Sequence, residues 1–345
     1  MTLHSALEAL IAGRDLDADT MTTVMTEIMT GAATPAQVAG FLVALRIKGE
    51  TVVEITAAAQ VMRAQSLRVD VPEDLRDQLV DTCGTGGDGA GLFNLSTASA
   101  LLLAALGVPV AKHGNRSVSS KSGSADVLTA AGLSLENPPE AAAAQLHTQR
   151  FSFLFAPMYH PAMKHAIGPR RELKTRTVFN LLGPLTNPAG ARRQVLGVFS
   201  SAWLEPMAAV LQALGSRHVL VVHGEDGVDE LSLTAPTRVC ELRDDQLRSY
   251  TVTPEDFGLT RCEPSALRVE SAEQSLACIR EAFGGVAGPV ADALSLNAGA
   301  GLYVAGRATD LAQGVAQARD ALRSGIALTY LDALRTGTPV PGAGA

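Results

Sequence analysis

The segment LVDTCGTGGDG, residues 79–89, decides the fold class of this chain. An apolar run ends at Cys83 and passes directly into a loop that contains four glycines. The sequence NLSTASALLLAAL, which starts at Asn94, is expected to form the following helix. A glycine loop between a strand and a helix lets backbone N–H groups and the helix N-terminus approach an anion. The segment therefore predicts an α/β fold with an anion site at the end of a strand.

The glycine spacing leaves open which phosphate the loop holds. Gly84, Gly86 and Gly89 match the G-x-G-x-x-G pattern of dinucleotide-binding loops, which is weakly specific by itself. A nicotinamide site needs an acidic residue about 20 positions further on, but the next apolar run, VPVAK, ends at Lys112 and His113. Since NADP tolerates a cation there, a dehydrogenase remains an alternative. A Walker A loop is excluded, because no Gly-Lys-Ser/Thr follows.

The composition is that of a globular, acidic protein. Of the 345 residues, 47% are hydrophobic and 18% are charged, which suffices for a large domain and a smaller one. The net charge of -7 disfavours general binding to nucleic acids or membrane surfaces, so an anionic ligand needs a local cluster of donors. The four cysteines show no C-x-x-C spacing, which favours reduced thiols and a cytoplasmic location. Neither a signal peptide nor a transmembrane span is expected.

Residues 1 to about 66 are expected to form four helices. Asp17 is the predicted cap of the second, Thr34 with Pro35 begins the third, and Thr51 with Glu54 forms a capping box for the fourth. An apolar stripe on the second helix has two interpretations, an internal core or a dimer surface. The stripe consists of Met21, Val24, Met25, Ile28 and Met29.

From residue 79 onward, short apolar runs alternate with helical stretches. This alternation predicts a mostly parallel sheet with helices on both faces. Residues 67–78 are expected to be a polar connection, and residues 231–262 to form short, antiparallel strands. Residues 160–188 interrupt the alternation; they are expected to be helical and to rejoin the N-terminal helices. Two or three helices are expected to close the chain. The predicted parallel strands are LVDTC, VPVAK, FSFLFA, QVLGVF and HVLVVHG.

Polar clusters follow several of these predicted strands. Residues 112–126 combine cations with serines, which suits an anion, although a solvated loop is the alternative. Asp226, Asp229 and Glu230 follow HVLVVHG; carboxylates beside phosphates are the usual Mg²⁺ arrangement, and a solvated acidic turn is the alternative. Arg170, in the interrupting segment, suits a substrate carboxylate. Together these residues predict a site for a polyphosphorylated, Mg²⁺-bound ligand beside an acidic organic acceptor.

Several motifs, in order, resemble those of the anthranilate phosphoribosyltransferase family. The resemblance covers essentially the whole chain. One departure is Leu92, which stands where many members of that family carry Thr before FN. The motifs are GTGGD (84–88), FNLST (93–97), KHGNR (112–116), SGSAD (122–126), RTVFNLLGPLTNP (176–188) and VHGEDGVDELS (222–232).

The resemblance implies an α/β fold of the nucleoside phosphorylase and phosphoribosyltransferase type, with a small all-helical domain and a large α/β domain. The helical domain would comprise residues 1–70 and about 160–190, and the α/β domain residues 75–160 and 190–345. It also implies a homodimer joined through the helical domains, two Mg²⁺ ions as cofactor, and transfer of ribose 5-phosphate from phosphoribosyl pyrophosphate to the amine of anthranilate. No acid or base catalyst is implied, because that amine is neutral at pH 7.

The resemblance also implies individual site residues. Ser96, Asp229 and Glu230 would be the metal ligands. Gly84, Asn115 and Arg170 would contact anthranilate, with His113 beside its ring. The implied contacts of phosphoribosyl pyrophosphate are Gly84, Thr85, Gly86, Gly87, Asp88, Leu92, Asn94, Leu95, Ser96, Thr97, Lys112, His113, Gly114, Asn115, Arg116, Ser117, Val118, Ser119, Ser120 and Ser124.

Two further alternatives are a pyrimidine nucleoside phosphorylase and a non-enzymatic, nucleic-acid-binding paralogue. The KHGNR and VDELS stretches favour the transferase over the phosphorylase. A paralogue that binds nucleic acid would carry a basic groove and lack the metal ligands, whereas this chain is acidic and retains Asp229 and Glu230.

Overall fold

A seven-stranded sheet runs through the computed structural model, which describes residues 2–116 and 121–340. The strand order is β3-β2-β1-β4-β5-β6-β7; β1 to β5 are parallel, and β6 and β7 are antiparallel to their neighbours. The predicted mostly parallel sheet and the antiparallel strands within 231–262 are therefore confirmed. The strands are β1 (Val80–Gly84), β2 (Val110–Gly114), β3 (Phe151–Phe155), β4 (Arg193–Gly197), β5 (His218–Gly224), β6 (Thr237–Arg243) and β7 (Gln246–Val252).

The N-terminal helices begin and end close to their predicted caps. Asp17 accepts from the Thr20 N–H, and Thr34 and Thr51 form capping boxes with Gln37 and Glu54. Each cap satisfies N–H groups that have no partner inside the helix. The helices are α1 (Leu3–Ile11), α2 (Ala18–Thr30), α3 (Pro35–Lys48) and α4 (Val52–Ala64).

The later helices correct the prediction in three places. Within the described residues, the connection at 67–78 contains a short helix, a second helix lies between the predicted helix at ADVLTAAG and β3, and four helices rather than two or three follow β7. Among the described residues, no helix is long and apolar enough to cross a membrane. The helices are α5 (Glu73–Arg76), α6 (Leu95–Ala105), α7 (Ser124–Ala130), α8 (Pro139–Gln149), α9 (Ala156–Tyr159), α10 (Lys164–Leu173), α11 (Phe179–Leu182), α12 (Leu204–Ala213), α13 (Ala272–Phe283), α14 (Pro289–Val304), α15 (Leu311–Ser324) and α16 (Ile326–Thr336).

Two large apolar cores cover the two faces of the sheet. One joins the sheet to α6 and to the C-terminal helices. The other joins it to α12 and to the N-terminal helices, and it includes the apolar stripe of α2, whose side chains are at most 2% exposed. That stripe is internal core, so its interpretation as a dimer surface is wrong. Ala166 of α10 and Phe179 of α11 belong to this second core, which confirms that residues 160–188 rejoin the N-terminal helices.

The sheet topology determines where a ligand can bind. Chain order reverses between β1 and β4, which lie side by side with Gly84 opposite Gly197. In open α/β sheets, ligands bind outside the carboxyl ends of the strands at such a switch point. The polar segments that follow β1, β2 and β5 all start at this edge.

Candidate active site

Two glycines let the segment after β5 cross the ends of β1 and β4. A Cβ atom on Gly84 would lie 2.5 Å from an Asp229 carboxylate oxygen, and one on Gly197 would overlap the Asp229 carbonyl oxygen. The Asp229 carboxylate also accepts the Gly86 N–H at 2.7 Å. Any larger residue at either glycine would displace Asp229, so this close approach explains why glycine ends both strands.

Three carboxylates meet at this crossing. Burial, and then repulsion by Asp88, raises the pKa of Asp229. Burial and repulsion by Asp229 raise the pKa of Glu230, whereas Lys112 and the backbone of Ser96 lower it. The cluster therefore carries more negative charge than its surroundings stabilise, which is the condition that a bound cation relieves.

The donor set fits Mg²⁺. Among the described residues, no group of three or more His, Cys, Asp and Glu side chains is arranged as a complete metal site. Mg²⁺ does not require one, since it is usually bound by one or two carboxylates together with water and substrate phosphates. Asp229 and Glu230 supply such a pair of carboxylates, and the Ser96 N–H donates to Glu230 beside them.

Lys112 is a buried cation beside the carboxylates. Its side chain is 1% exposed, and its Nζ donates to the Thr82 carbonyl and to Ser96 Oγ at 3.2 Å. Burial lowers the pKa of Lys112, and the carboxylates of Asp81 and Glu230 oppose that change. Lys112 at the end of β2 thus lies close to the carboxylates that follow β5.

Asp81 is a site residue that the sequence analysis missed. Its carboxylate is fully buried in β1 and accepts from Asn187 Nδ2 at 2.8 Å and from the His113 N–H at 3.3 Å. Burial raises the pKa of Asp81 to about 6, against the influence of Lys112. The available signal was a single acidic residue inside the apolar run LVDTC.

The glycine loop presents unpaired donors. Thr85 braces its base, because its N–H bonds Gly197 and its Oγ1 accepts the Phe199 N–H at 3.0 Å. Within the described residues, the N–H groups of Gly87, Asp88 and Gly89 make no hydrogen bond. Such consecutive free N–H groups form a concave site for an anion.

The start of α6 adds further polar groups. Asn94 accepts from Ser122 and from Ser275 of α13 at 2.7 and 2.8 Å. Thr97 is 1% exposed, and its hydroxyl has no hydrogen-bond partner in the part of the chain that the structure describes. The side chains of Leu92 and Leu95 pack against the apolar core, so they offer a ligand only backbone groups or apolar contact.

Gly114 at the end of β2 and Ser124 at the start of α7 lie close together. A Cβ atom on Gly114 would lie 2.8 Å from the Phe153 ring and 3.4 Å from Ser124 Cβ, which places Ser124 next to the end of β2. Arg116 pairs with Asp126 at 2.9 Å, and the Asn115 side chain accepts the Arg116 N–H. The predicted contacts Ser117, Val118, Ser119 and Ser120 lie outside the described residues.

His113 faces a second histidine that the sequence analysis missed. The ring centroids of His113 and His160 are 5.0 Å apart, and both residues are buried. His113 Nδ1 lies 3.1 Å from the Gly183 carbonyl oxygen, so Nδ1 carries the proton and Nε2 is left as an acceptor. Neither His113 Nε2 nor either nitrogen of His160 has a partner among the described residues. No local pattern around His160 indicates this pairing.

Arg170 is a half-buried cation in α10. Its guanidinium lies 5.1 Å from the centre of the Phe179 ring, and it forms no ion pair within residues 2–116 and 121–340. Burial lowers the pKa of Arg170. Phe179 begins α11, which ends one residue before Gly183, the partner of His113. A guanidinium without an ion-pair partner among the described residues is suited to a carboxylate ligand.

Comparison with known proteins identifies two family models. The model described as "Glycosyl transferase family, a/b domain" matches residues 76–328. The one described as "Glycosyl transferase family, helical bundle domain" matches residues 4–66. The first match covers all seven strands of the sheet, and the second covers nearly all of helices α1 to α4.

Similar proteins extend over nearly the whole chain. An anthranilate phosphoribosyltransferase of Thioalkalivibrio sulfidiphilus is 58% identical over 97% of this chain and 98% of its own. The anthranilate phosphoribosyltransferase of Halorhodospira halophila is 56% identical over 96% of this chain and 97% of its own. A crystal structure of anthranilate phosphoribosyltransferase from Thermus thermophilus is 48% identical in sequence and covers 96% of this chain and 98% of its own, with a TM-score of 0.90. The Saccharomyces cerevisiae enzyme in complex with PRPP (phosphoribosyl pyrophosphate) and Mg is 25% identical over 97% of each chain, with a TM-score of 0.87.

Proposed function

We propose a residue-level account of catalysis for this chain, which belongs to the anthranilate phosphoribosyltransferase family. The enzyme transfers the 5-phosphoribosyl group of phosphoribosyl pyrophosphate to the amine of anthranilate. The products are N-(5-phosphoribosyl)anthranilate and pyrophosphate, in the second step of tryptophan synthesis from chorismate. Mg²⁺ is the cofactor.

The observation that carries the site assignment is the crossing of Asp229 over Gly84 and Gly197. It brings Asp229 and Glu230 to the same strand ends as the glycine loop and Lys112. Bound there, Mg²⁺ would neutralise charge on the pyrophosphate. Asp229, Glu230 and Ser96 would hold the metal, and two ions are the number that we propose.

The leaving group is the part of the reaction that most needs stabilisation. As pyrophosphate departs, negative charge grows on it and cationic character grows at ribose C1. Lys112 and the free N–H groups of Gly87, Asp88 and Gly89 are arranged to stabilise the pyrophosphate. Loss of one preorganised donor of this kind reduces the rate by on the order of 10²- to 10³-fold. The remaining contacts predicted from the sequence are proposed to hold the ribose and its 5-phosphate.

The acceptor is proposed to lie at the histidine pair. Arg170 would bind the anthranilate carboxylate, and Gly84 and Asn115 would line the same pocket. Neutral His113 Nε2 would accept a hydrogen bond from the amine. Burial lowers the pKa of His113 to about 3, so this ring orients the amine as an acceptor and is a weak base. Positioning the two reactants in this way is itself a large part of the rate enhancement.

The experiment follows anthranilate fluorescence after mixing enzyme, phosphoribosyl pyrophosphate and Mg²⁺. A decay that requires all three components supports the reaction, and its loss in Asp229→Ala/Glu230→Ala supports the metal site. Glu225→Gln is the matched control, because it removes an exposed carboxylate from the same loop. No decay with folded wild-type enzyme, or full activity in the double variant, would contradict the assignment.

The homodimer, the cytoplasmic location and the division into domains remain proposals. Exposed apolar side chains on the helical part support a dimer interface: Ile11 is 72% exposed, Ile47 81% and Ile167 45%. We expect light scattering to give a dimer mass that falls in Ile47→Lys. Val286→Lys, which alters an exposed residue between α13 and α14, should retain the dimer. The proposed domains are residues 1–70 with about 160–190, and residues 75–160 with 190–345.

A further inference from the structure

Arg176 has no role in the site described above, yet its side chain reaches the glycine loop. It follows α10, in a segment where Lys174 has left-handed backbone and the Thr177 N–H donates to Asn180 at 3.0 Å. From this segment, Arg176 Nη2 donates to the Gly87 carbonyl. A Cβ atom on Gly87 would lie 3.2 Å from that nitrogen, so glycine lets the guanidinium come close.

A second contact holds the guanidinium plane. Arg176 Cζ lies 4.0 Å from the centre of the Phe199 ring. Phe199 is itself joined to the loop, because its N–H donates to Thr85 Oγ1. A planar, delocalised cation is suited to stacking on an aromatic face while its edge donates hydrogen bonds. Phe199 and the Gly87 carbonyl therefore contact the same guanidinium.

The hydrogen bond to Gly87 determines where the next amide points. The described chain has no cis peptide bonds, and in a trans peptide the Gly87 carbonyl and the Asp88 N–H point in opposite directions. Gly87 has φ +74, so the residue itself leaves the peptide free to adopt other orientations. On the other side of the loop, Asp229 holds the Gly86 N–H at 2.7 Å. Arg176 thus keeps the unpaired Asp88 N–H directed away from itself.

We propose that Arg176 is a positioning residue for phosphoribosyl pyrophosphate: by holding the Gly87 carbonyl, it directs the Asp88 N–H toward the pyrophosphate. The proposal rests on the assignment of the glycine loop to that substrate. Arg176 does not contact the reacting atoms in this arrangement. Its loss therefore raises the KM for phosphoribosyl pyrophosphate and leaves the KM for anthranilate close to the wild-type value.

The test compares Arg176→Gln with Arg176→Lys and with Arg171→Gln, which removes an exposed charge from the end of α10. Steady-state kinetics should give a KM for phosphoribosyl pyrophosphate raised about 10- to 100-fold in Arg176→Gln, the range expected for loss of one hydrogen bond from a charged donor. Arg176→Lys keeps a hydrogen-bond donor but loses the planar group beside Phe199. Its KM for phosphoribosyl pyrophosphate should therefore lie between those of wild type and Arg176→Gln. Arg171→Gln should match wild type. Added guanidinium ion should lower the KM of an Arg176→Ala variant.

Two outcomes would overturn the proposal: an unchanged KM for phosphoribosyl pyrophosphate in Arg176→Gln, whether or not the Tm falls, or an equal rise of both KM values. Should Arg176→Gln not fold, Phe199→Leu removes the stack and leaves the backbone bond to Thr85. It should raise the KM for phosphoribosyl pyrophosphate alone, and a wild-type value would overturn the proposal. A wild-type enzyme without any Mg²⁺-dependent transfer would instead refute the function on which this inference rests.

Discussion

The pair formed by His113 and His160 should make this enzyme sensitive to mild acid. Burial lowers the pKa of His113 to about 3 and that of His160 to about 4, from an ordinary 6.5. His160 and Lys112 add to the effect on His113 by repulsion. Because these bases bind protons more weakly in the folded state, the unfolded chain takes up more protons below pH 6.5. The folded state therefore loses stability as the pH falls from 6.5 toward 4.

The size of the effect follows from the two shifts. For each histidine, lowering the pH from 7 to 5 should reduce the free energy of unfolding by about 2 kcal/mol. The pair then accounts for about 4 kcal/mol, a large part of a typical net stability. Replacing both residues with glutamine keeps polar side chains of similar size and removes the titration. The double variant should therefore lose about 4 kcal/mol less than wild type between pH 7 and pH 5.

Urea unfolding followed by circular dichroism at pH 7 and pH 5 measures this difference. His147→Gln is the matched control, because His147 is exposed on α8 and its replacement should leave the wild-type pH dependence in place. If His113→Gln/His160→Gln loses as much stability on acidification as wild type, the reasoning from burial is refuted.

Three further substitutions test separate parts of the site. Arg170→Lys loses bidentate geometry and should raise the KM for anthranilate about tenfold in steady-state kinetics; an unchanged KM would contradict its role. Gly197→Ala places a methyl group on the Asp229 carbonyl and should weaken Mg²⁺-dependent binding of phosphoribosyl pyrophosphate in calorimetry. Wild-type affinity for phosphoribosyl pyrophosphate would argue against a role for the close approach of Asp229 to Gly197. Ser275→Ala removes both bonds to Asn94 and should lower the free energy of unfolding by about 1–3 kcal/mol, which urea unfolding checks; wild-type stability would argue against that bracing.

The sequence predicted the starts of those helices that are capped by residues close to them in the chain. The caps at Asp17, Thr34 and Thr51 join residues three apart, so the sequence alone contains both partners. Helix α8 was not predicted, although Pro139 and the alanines that follow it are ordinary helix-starting residues. The two interpretations of the α2 stripe needed the structure, because helical spacing of apolar residues does not specify what covers them.

The sequence by itself determined the α/β class, the N-terminal helices, and the kinds of side chain at each strand end. Tertiary structure decided which of these groups meet. Asp229 bonds a glycine 143 residues earlier, and Arg176 one 89 residues earlier. The pairing of His113 with His160 and the burial of Asp81 depend in the same way on how the sheet and the helical segment pack. Contacts within one helical turn follow from chain geometry, whereas contacts between distant segments exist only once both are packed, and burial then sets their charge states.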